Sequence, residues 1–207
     1  VKDYYGTGTK FGVNFTFIEQ DSPKGIAHAI NLCKNFVGNE KFVVFLGDNL
    51  MTKSINEIVK KFNNSKVDAF LLLCEVDNPS QFGVAEIIDG KIKNIIEKPK
   101  NPVSNFAVTG IYFFQPNIFN IFPTLKPSWR NELEIVDAIQ IMIDNNLNVE
   151  FEIITDYWKD TGTPEDIINA NTKILQSISS VSHNDFPGLD RKSTRLNSSH
   201  QIISYAV

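Results

Sequence analysis

The stretch Phe42-Val43-Val44-Phe45-Leu46-Gly47-Asp48-Asn49 places an unbroken apolar run directly before a glycine and an aspartate. Such a run is typical of a strand that is buried on both faces, as in a parallel sheet covered by helices. Open α/β sheets bind ligands at the carboxyl ends of their strands, and Gly47 would let a ligand approach the backbone closely. We therefore expect Asp48 at a ligand-binding edge, although an aspartate in this position also occurs as a turn former or helix cap.

Composition limits the class of protein. With 207 residues, 42% of them apolar, the chain can bury one good core, and we expect one main domain. A net charge of −4 argues against partners such as nucleic acid or anionic membrane. Cys33 and Cys74 stand far apart and predict buried thiols in a reducing compartment. Since no signal peptide or run of about 20 apolar residues is present, we expect a cytoplasmic protein.

The segments around the opening stretch alternate between strand and helix patterns. Residues 13–20 alternate like a strand, and residues 26–33 carry an apolar helical stripe. With residues 42–46 they predict a βαβ unit, whose two strands would be parallel. A second helical stripe at 55–62 and a buried strand at 69–74 follow. This pattern predicts an α/β fold, a Rossmann-like three-layer sandwich with a mixed, mainly parallel sheet.

The second half of the chain contains a hairpin signal. Asp89-Gly90 separates two β-patterned segments and is typical of a type I′ turn. A further strand at 107–114 has Gly110 in its interior, which marks either a bulge or the close approach of a ligand or another backbone. Helices are predicted at 132–143 and from Pro164 onward, and a strand is predicted between them at 149–154.

A second aspartate, Asp160, also stands beside a glycine after a predicted strand. Two carboxylates that converge at the rim of a sheet could share Mg²⁺, which takes a few oxygen ligands from protein and completes its shell with phosphates. Spacing alone does not bring Asp48 and Asp160 together, so two unrelated turn aspartates remain the alternative at this point.

Seven short blocks in a fixed order resemble the sugar nucleotidyltransferases, and most closely those that transfer a thymidylyl group to glucose 1-phosphate. The resemblance extends from the first residue to about residue 175. The blocks are 19–29, Leu46-Gly47-Asp48-Asn49, Phe82-Gly83-Val84-Ala85, Ile96-Glu97-Lys98-Pro99, Val108-Thr109-Gly110-Ile111-Tyr112, Glu132-Leu133-Glu134-Ile135 and 158–163.

The resemblance implies an activity and a nucleotide site. A phosphate oxygen of a sugar 1-phosphate would attack the α-phosphorus of dTTP or UTP, and pyrophosphate would leave. Asp48 and Asp160 match the family's catalytic metal ligands, which would hold Mg²⁺. Gln20 and Gly25 match its base pocket, where an amide offers both a donor and an acceptor to the imide edge of thymine or uracil.

The resemblance also implies a sugar-phosphate pocket in the hairpin region. Glu97 would accept hydrogen bonds from sugar hydroxyls, and Lys98 would contact the phosphate. Without the resemblance, Glu97 and Lys98 would be interpreted as a solvated strand end and Trp158 as a core residue. The whole set is Phe82, Gly83, Glu97, Lys98, Val108, Gly110, Tyr112 and Trp158.

The chain departs from the family at both ends. The family begins with a strand and a Gly-rich, Arg-containing phosphate loop, neither of which is found here, so we expect residues 1–178 to be a partial catalytic domain without activity. Some relatives continue into a left-handed β-helix. Here we expect a linker at 179–189, and residues 190–207 resemble the in-frame translation of a sequencing adapter.

Three alternatives stay open. The enzyme could be a uridylyltransferase or act on another sugar 1-phosphate, since the base pocket does not separate dTTP from UTP. A metal-dependent glycosyltransferase would typically contain Asp-x-Asp, which is absent from the sequence. A regulatory domain could bind nucleotide sugars without turnover. Homo-oligomers are common in the resembled family, but no residue indicates an interface.

Overall fold

The computed structural model describes residues 1–177, so the predicted linker at 179–189 and the tail at 190–207 lie outside the described residues. The chain divides into two compact units, one with Val1–Phe15 and the described residues from Gly162, the other with Thr16–Thr161. The helices are α1 (Lys2–Tyr5), α2 (Ile26–Leu32), α3 (Lys34–Val37), α4 (Asn56–Asn63), α5 (Ile135–Asp144) and α6 (Pro164–Ser177). Short 3₁₀ turns are found at Thr9–Phe11, Pro79–Gln81, Pro116–Asn120 and Phe122–Thr124.

The Thr16–Thr161 unit contains all the strands of residues 1–177. They are β1 (Phe42–Phe45), β2 (Asn49–Met51), β3 (Ala69–Glu75), β4 (Gly83–Ile88), β5 (Lys91–Glu97), β6 (Phe106–Phe114), β7 (Val149–Ile154) and β8 (Trp158–Asp160). The main sheet has the order β5-β4-β6-β3-β7, with β1 also pairing with β6. Strands β2 and β8 form a separate two-stranded ladder.

The α/β class and the mixed sheet are confirmed, but the balance of pairing differs from the expectation. Only β3 and β7 pair in parallel within the described residues, with Ala69 opposite Val149. Strands β1 and β3 both run antiparallel to β6, and β4 runs antiparallel to β5 and β6. The main sheet is therefore organised around β6, a nine-residue strand that contacts three neighbours.

The predicted βαβ unit is wrong. Residues 14–20 form no strand in the described part of the chain, and every residue from Phe11 to Gln20 is exposed. Alternating, β-favouring residues become a strand only where a neighbouring strand accepts their backbone hydrogen bonds. No ladder partner for this segment is found among residues 1–177, so its strand propensity is not realised.

Strand β1 is not buried on both faces as expected. Its exposure alternates, with Phe42 and Val44 partly buried, Val43 37% exposed and Phe45 47% exposed. It pairs on one edge with β6, and no strand of the described residues pairs with its other edge. An apolar run indicates that burial is favourable but does not specify which neighbours cover the strand. Here the neighbours cover one face of β1 only.

Two apolar cores lie on the two faces of the main sheet. Along β3, Leu71 and Leu73 belong to the core that includes α2 and α5, whereas Phe70 and Leu72 belong to the core that includes α4. This is the alternation expected of a strand with a helical layer on each side, and it confirms the three-layer arrangement. Within residues 1–177, no helix is both long enough and apolar enough to cross a membrane.

The predicted hairpin is present. Strands β4 and β5 are joined by Asp89 and Gly90, whose φ angles are 52° and 70°. Positive φ at both central residues defines a type I′ turn, for which Asp-Gly is a preferred sequence. The hairpin brings Gly83, at the start of β4, opposite Glu97, at the end of β5.

Candidate active site

The structure brings the two candidate metal ligands to adjacent segments. Asp48 follows β1 and precedes β2, and Asp160 ends β8, where it pairs with Asn49. The backbone of Thr161 donates to the carbonyl of Asp48 over 2.8 Å, and its hydroxyl donates to the same oxygen over 2.7 Å. Asp160 therefore lies at the end of one strand of the ladder, and Asp48 immediately precedes the other, as the shared-site hypothesis requires.

Asn49 connects this ladder to the main sheet. Its Oδ1 accepts from the Gly110 N–H over 2.9 Å and from the Trp158 Nε1–H over 2.8 Å, while its Nδ2 donates to Asp48 Oδ1 over 2.9 Å. A Cβ on Gly110 would lie 2.7 Å from Asn49 Cγ, closer than real side chains allow. The interior glycine of β6 thus marks the close approach of the Asn49 side chain. Sequence reasoning did not assign a role to this asparagine.

Trp158 and Phe82 form an aromatic wall beside the ladder. Their rings meet edge to face with centroids 5.6 Å apart, and Trp158 is buried. The contact joins β8 to the residue that precedes β4 and therefore connects Asp160 with the hairpin. Trp158 is a core residue and a neighbour of the aspartates at once, so the two interpretations considered from the sequence are compatible.

Glu97 lies over Gly83 at the end of the hairpin. A Cβ on Gly83 would lie 3.3 Å from Glu97 Oε2 and 2.8 Å from Val136 Cγ2, so the site depends on the absence of a side chain there. Lys98 has a φ of 43°, and its N–H donates to the Phe82 carbonyl over 3.0 Å. The Lys98 side chain is exposed.

Arg130 is the main residue that sequence reasoning missed. It donates through Nη2 and Nε to the buried Glu134 carboxylate over 2.8 and 3.1 Å, and Nη2 also lies 3.4 Å from Glu97 Oε1 and 3.2 Å from Glu132 Oε2. Ser128 Oγ donates to Glu134 as well, over 2.7 Å. The signal was present in the sequence as one arginine just before two acids in alternate positions, Arg-Asn-Glu-Leu-Glu.

The surroundings of Glu97 raise its pKa above the ordinary value of a glutamate. Burial raises the pKa of Glu97, and the charge of Glu134 raises it further, whereas Arg130 and Lys98 partly offset both effects. Burial also raises the pKa of Asp137 on α5, with a further contribution from Glu134. The carboxylates outnumber the cations, so a further cation or a hydroxyl donor would find favourable partners here.

Tyr112 links the two groups of acids. Val108, Gly110 and Tyr112 stand at alternate positions of β6, and both larger side chains are buried in the core on the α2 and α5 face. Burial raises the pKa of the Tyr112 phenol, and the charges of Glu97, Asp48 and Asp160 raise it further. The contacts of β6 agree with this: Asn49 joins Asp48 to Gly110, and a Cβ on Gly83 would lie 3.3 Å from Glu97 Oε2 and 3.8 Å from Val108 Cβ.

Gln20 and Gly25 lie on a separate apolar groove of about 550 Å³. Leu46, two residues before Asp48, lines the same groove, as do Pro23 and Ile26. This volume is within the usual range for small-molecule sites. Gly25 has a φ of 96°, and a Cβ there would lie 2.6 Å from the Leu133 carbonyl. Glycine at this position is therefore required by the packing of Leu133, independently of any ligand.

Asp48 and Asp160 are the candidate ligands for a metal ion. Residues 1–177 contain no group of three or more His, Cys, Asp or Glu side chains placed to hold one. Asp48 and Asp160 supply two hard carboxylates on adjacent segments, of which Asp48 is exposed and Asp160 half-buried. Such a pair suits Mg²⁺, because Mg²⁺ commonly takes one or two protein carboxylates and completes its octahedron with water and substrate phosphates.

Comparison with known proteins gives a consistent result. Residues 1–177 match the family described as Nucleotidyl transferase. Glucose-1-phosphate thymidylyltransferase of Streptomyces antibioticus is 42% identical over 84% of this chain and 49% of its own length. UTP–glucose-1-phosphate uridylyltransferase AglF of Haloferax volcanii is 36% identical over 80% of this chain and 69% of its own length.

A solved structure supports the same fold. A Bacillus anthracis protein, provisionally assigned as a glucose-1-phosphate thymidylyltransferase and crystallised with a sucrose, superimposes with a TM-score of 0.78. It is 41% identical, and the match covers 87% of this chain and 73% of that protein. The chain spans about half the length of the first curated relatives it matches, 50% in one case and 49% in two others.

Proposed function

Because the chain belongs to the nucleotidyl transferase family, we propose that it carries part of the active site of an enzyme that makes dTDP-glucose from dTTP and glucose 1-phosphate. A phosphate oxygen of glucose 1-phosphate attacks the α-phosphorus of dTTP. The bond to the β-phosphate breaks, and pyrophosphate leaves. The protein forms no covalent bond in this scheme, so its contribution is positioning and charge neutralisation.

The observation that supports the proposal is that contacts of Asp48 and of Glu97 both lead to β6. Asp48 is hydrogen-bonded to Asn49, which accepts from Gly110 of β6, and a Cβ on Gly83 would lie 3.3 Å from Glu97 Oε2 and 3.8 Å from Val108 Cβ of β6. Leu46 connects Asp48 with the groove that contains Gln20 and Gly25. A nucleotide whose base lies in that groove would extend its phosphates toward Asp48, and a sugar near Glu97 would present its phosphate to the same aspartates.

We assign Asp48 and Asp160 as ligands of Mg²⁺, whose chemistry is to neutralise phosphate charge and orient the α-phosphate. Asn49 orients Asp48 through its Nδ2 hydrogen bond, and the Thr161 backbone fixes the Asp48 carbonyl. These contacts hold the carboxylate in place before substrate arrives, which lowers the reorganisation needed during the reaction.

On the sugar side, we assign Glu97 as an acceptor for sugar hydroxyls and Lys98 as a contact of the sugar phosphate. Gly83 leaves room for Glu97 and Gly110 for Asn49, and we assign both glycines to the pocket wall together with Phe82, Val108, Tyr112 and Trp158. Arg130 holds Glu97 and Glu134 in place, and its Nη1 has no hydrogen bond within residues 1–177, so it can also meet a phosphate oxygen.

The proposal includes a cytoplasmic location for the enzyme and dTTP as its nucleotide donor. Cys33 and Cys74 are free thiols, in agreement with a reducing cytoplasm. Nothing among the groove residues distinguishes the 5-methyl group of thymine, and one relative is a uridylyltransferase. UTP is therefore the second candidate donor, to be separated from dTTP by assay.

The test uses the complete reading frame that contains this chain. Pyrophosphate release would be followed with glucose 1-phosphate, Mg²⁺ and each of dTTP, UTP, GTP, ATP and CTP. We expect turnover with dTTP that falls by roughly 100-fold or more in Asp48→Asn, the scale of losing one preorganised electrostatic contact. Higher turnover with UTP would make the enzyme a uridylyltransferase. A folded protein that binds dTDP-glucose but releases no pyrophosphate from any donor would contradict the enzyme and favour a regulatory binding domain.

A further inference from the structure

The side chain of Gln20 is held by two neighbours on the loop and helix that follow it. Its Nε2 lies 3.3 Å from the Gly25 carbonyl oxygen and 2.9 Å from Nδ1 of His28, on α2. On the far side of the same imidazole, Nε2 lies 4.0 Å from a carboxylate oxygen of Asp21. The His28 side chain is 17% exposed, so the ring is mostly enclosed.

These contacts determine which way the amide and the imidazole face. The Gly25 carbonyl can only accept a hydrogen bond, so the atom of Gln20 that faces it is the nitrogen. The second N–H of that nitrogen then donates to Nδ1 of His28, which must carry a lone pair. The imidazole proton therefore resides on Nε2, on the side of Asp21.

The consequence is that Gln20 offers an acceptor to the groove. Both amide hydrogens are used within the protein, and Oε1 has no hydrogen-bond donor among residues 1–177. Gln20 lines the groove of about 550 Å³ together with Pro23, Ile26 and Ala29, which are apolar. Glu132 is the other polar side chain of this mainly apolar lining. A few oriented polar atoms in an apolar groove are the usual means by which a site reads the hydrogen-bonding edge of a flat ligand.

We propose that His28 is a positioning residue that sets the nucleobase preference by locking Gln20 as a hydrogen-bond acceptor. The site then selects a base whose ring nitrogen carries a hydrogen, such as the imide N–H of thymine or uracil. Cytosine presents a bare ring nitrogen at that place and is rejected, because two acceptors would face each other. This inference rests on the proposed function, since it takes the groove as the nucleobase site.

Loss of the His28 contact frees the amide to turn. With leucine at position 28, the amide nitrogen keeps only the 3.3 Å contact to Gly25. The turned amide would present its N–H₂ group to the groove and accommodate the bare nitrogen of cytosine. The net value of one hydrogen bond corresponds to roughly a 3- to 10-fold change in preference.

The experiment measures dissociation constants of dTTP and dCTP by titration calorimetry, with the protein expressed from the complete reading frame. We expect His28→Leu to lower the preference for dTTP over dCTP by roughly 3- to 10-fold. His28→Asn restores an acceptor close to the position of Nδ1 and should stay within about twofold of the unaltered protein. Asn31→Leu, on the same helix and without a side-chain hydrogen bond in residues 1–177, is the matched control and should leave the preference unchanged.

The outcomes separate this inference from the proposed function. An unchanged preference in His28→Leu, or an equal loss for both nucleotides, would overturn the role of His28 while leaving the enzyme intact. An unchanged preference in Gln20→Ala would instead remove the groove from base recognition, and with it this inference. Nitrogen-15 NMR of the unaltered protein supplies a test that needs no variant, because a proton on Nδ1 of His28 would contradict the locked amide.

Discussion

Asn49 and Gly110 provide a quantitative test of the link between the short ladder and the main sheet. Asn49→Ala leaves two buried donors, the Gly110 N–H and the Trp158 Nε1–H, without an acceptor. Each such group costs about 1–3 kcal/mol, so we expect the free energy of unfolding to fall by about 2–6 kcal/mol. This is a large share of the roughly 5–15 kcal/mol that stabilises a typical domain.

Gly110→Ala should break the same contacts from the other side. Its methyl group would lie 2.7 Å from Cγ and 2.8 Å from Oδ1 of Asn49, so the asparagine must move and release its partners. In the double variant this clash no longer exists, because the asparagine side chain is gone. The two substitutions should therefore destabilise together by less than the sum of their separate effects, by at least about 1 kcal/mol.

The assay is urea unfolding of the four proteins of this cycle, followed by far-ultraviolet circular dichroism and extrapolated linearly to water. Tryptophan fluorescence gives a second probe of the same transition, in which the change should come mainly from buried Trp158 because Trp129 is already 83% exposed in the folded protein. Destabilisations that add to within about 0.5 kcal/mol would refute the reasoning, because additivity is expected of sites that share no partner. A single variant within about 0.5 kcal/mol of the parent protein would refute it equally.

Three further predictions concern other described contacts. Because burial raises the pKa of Glu97, its cost to folding is absent below the pKa of an unfolded glutamate, grows between that pKa and the raised one, and is fully present above the raised pKa. Glu97→Gln should therefore increase the melting temperature at pH 7 but not at pH 4. Arg130→Ala leaves the buried Glu134 without its cation and should lower the free energy of unfolding by about 2–3 kcal/mol, a value that allows for the 23% exposure of Arg130. Unfolding in urea measures this loss, and Arg130→Lys should restore part of it. Lys41→Met removes an ammonium that donates to the carbonyls of Phe62, Asn63 and Ser65 at the end of α4, and should cost about 1–3 kcal/mol, with faster amide exchange in α4.

The sequence predicts those parts of the fold that depend on local chemistry. Asp89-Gly90 requires a type I′ turn whatever surrounds it, and the apolar run of β3 is buried on both faces. The segment at 13–20 and the environment of β1 were predicted wrongly, because both depend on which distant strand lies alongside. Pairing partners are a tertiary property, and a β-patterned segment without a partner stays irregular.

The residues of the candidate site likewise divide into those that the sequence indicates and those that only tertiary contacts reveal. Asp48 and Asp160 could be nominated from their place after strands and from the ordered resemblance. Asn49 could not, because an asparagine after an aspartate is an ordinary turn residue until Gly110 and Trp158 are seen to donate to it. Arg130 was missed for a related reason, since its partner Glu97 is 33 residues away in the chain and on another element.

Strands β3 and β7, the one parallel pair within residues 1–177, are synthesised far apart in time. Strand β3 carries the uncharged run Ala69-Phe70-Leu71-Leu72-Leu73-Cys74, and its partner Val149 lies 80 residues after Ala69. At a ribosomal speed of roughly 5–20 residues per second, β3 waits about 4–16 s for β7 to be synthesised. During that interval this uncharged, apolar run has an open edge, and its composition is that of aggregation-prone segments. Slower translation would lengthen this exposure, whereas chaperones that bind extended apolar chains would protect the β3 segment. The yield of folded protein should therefore rise with the supply of such chaperones.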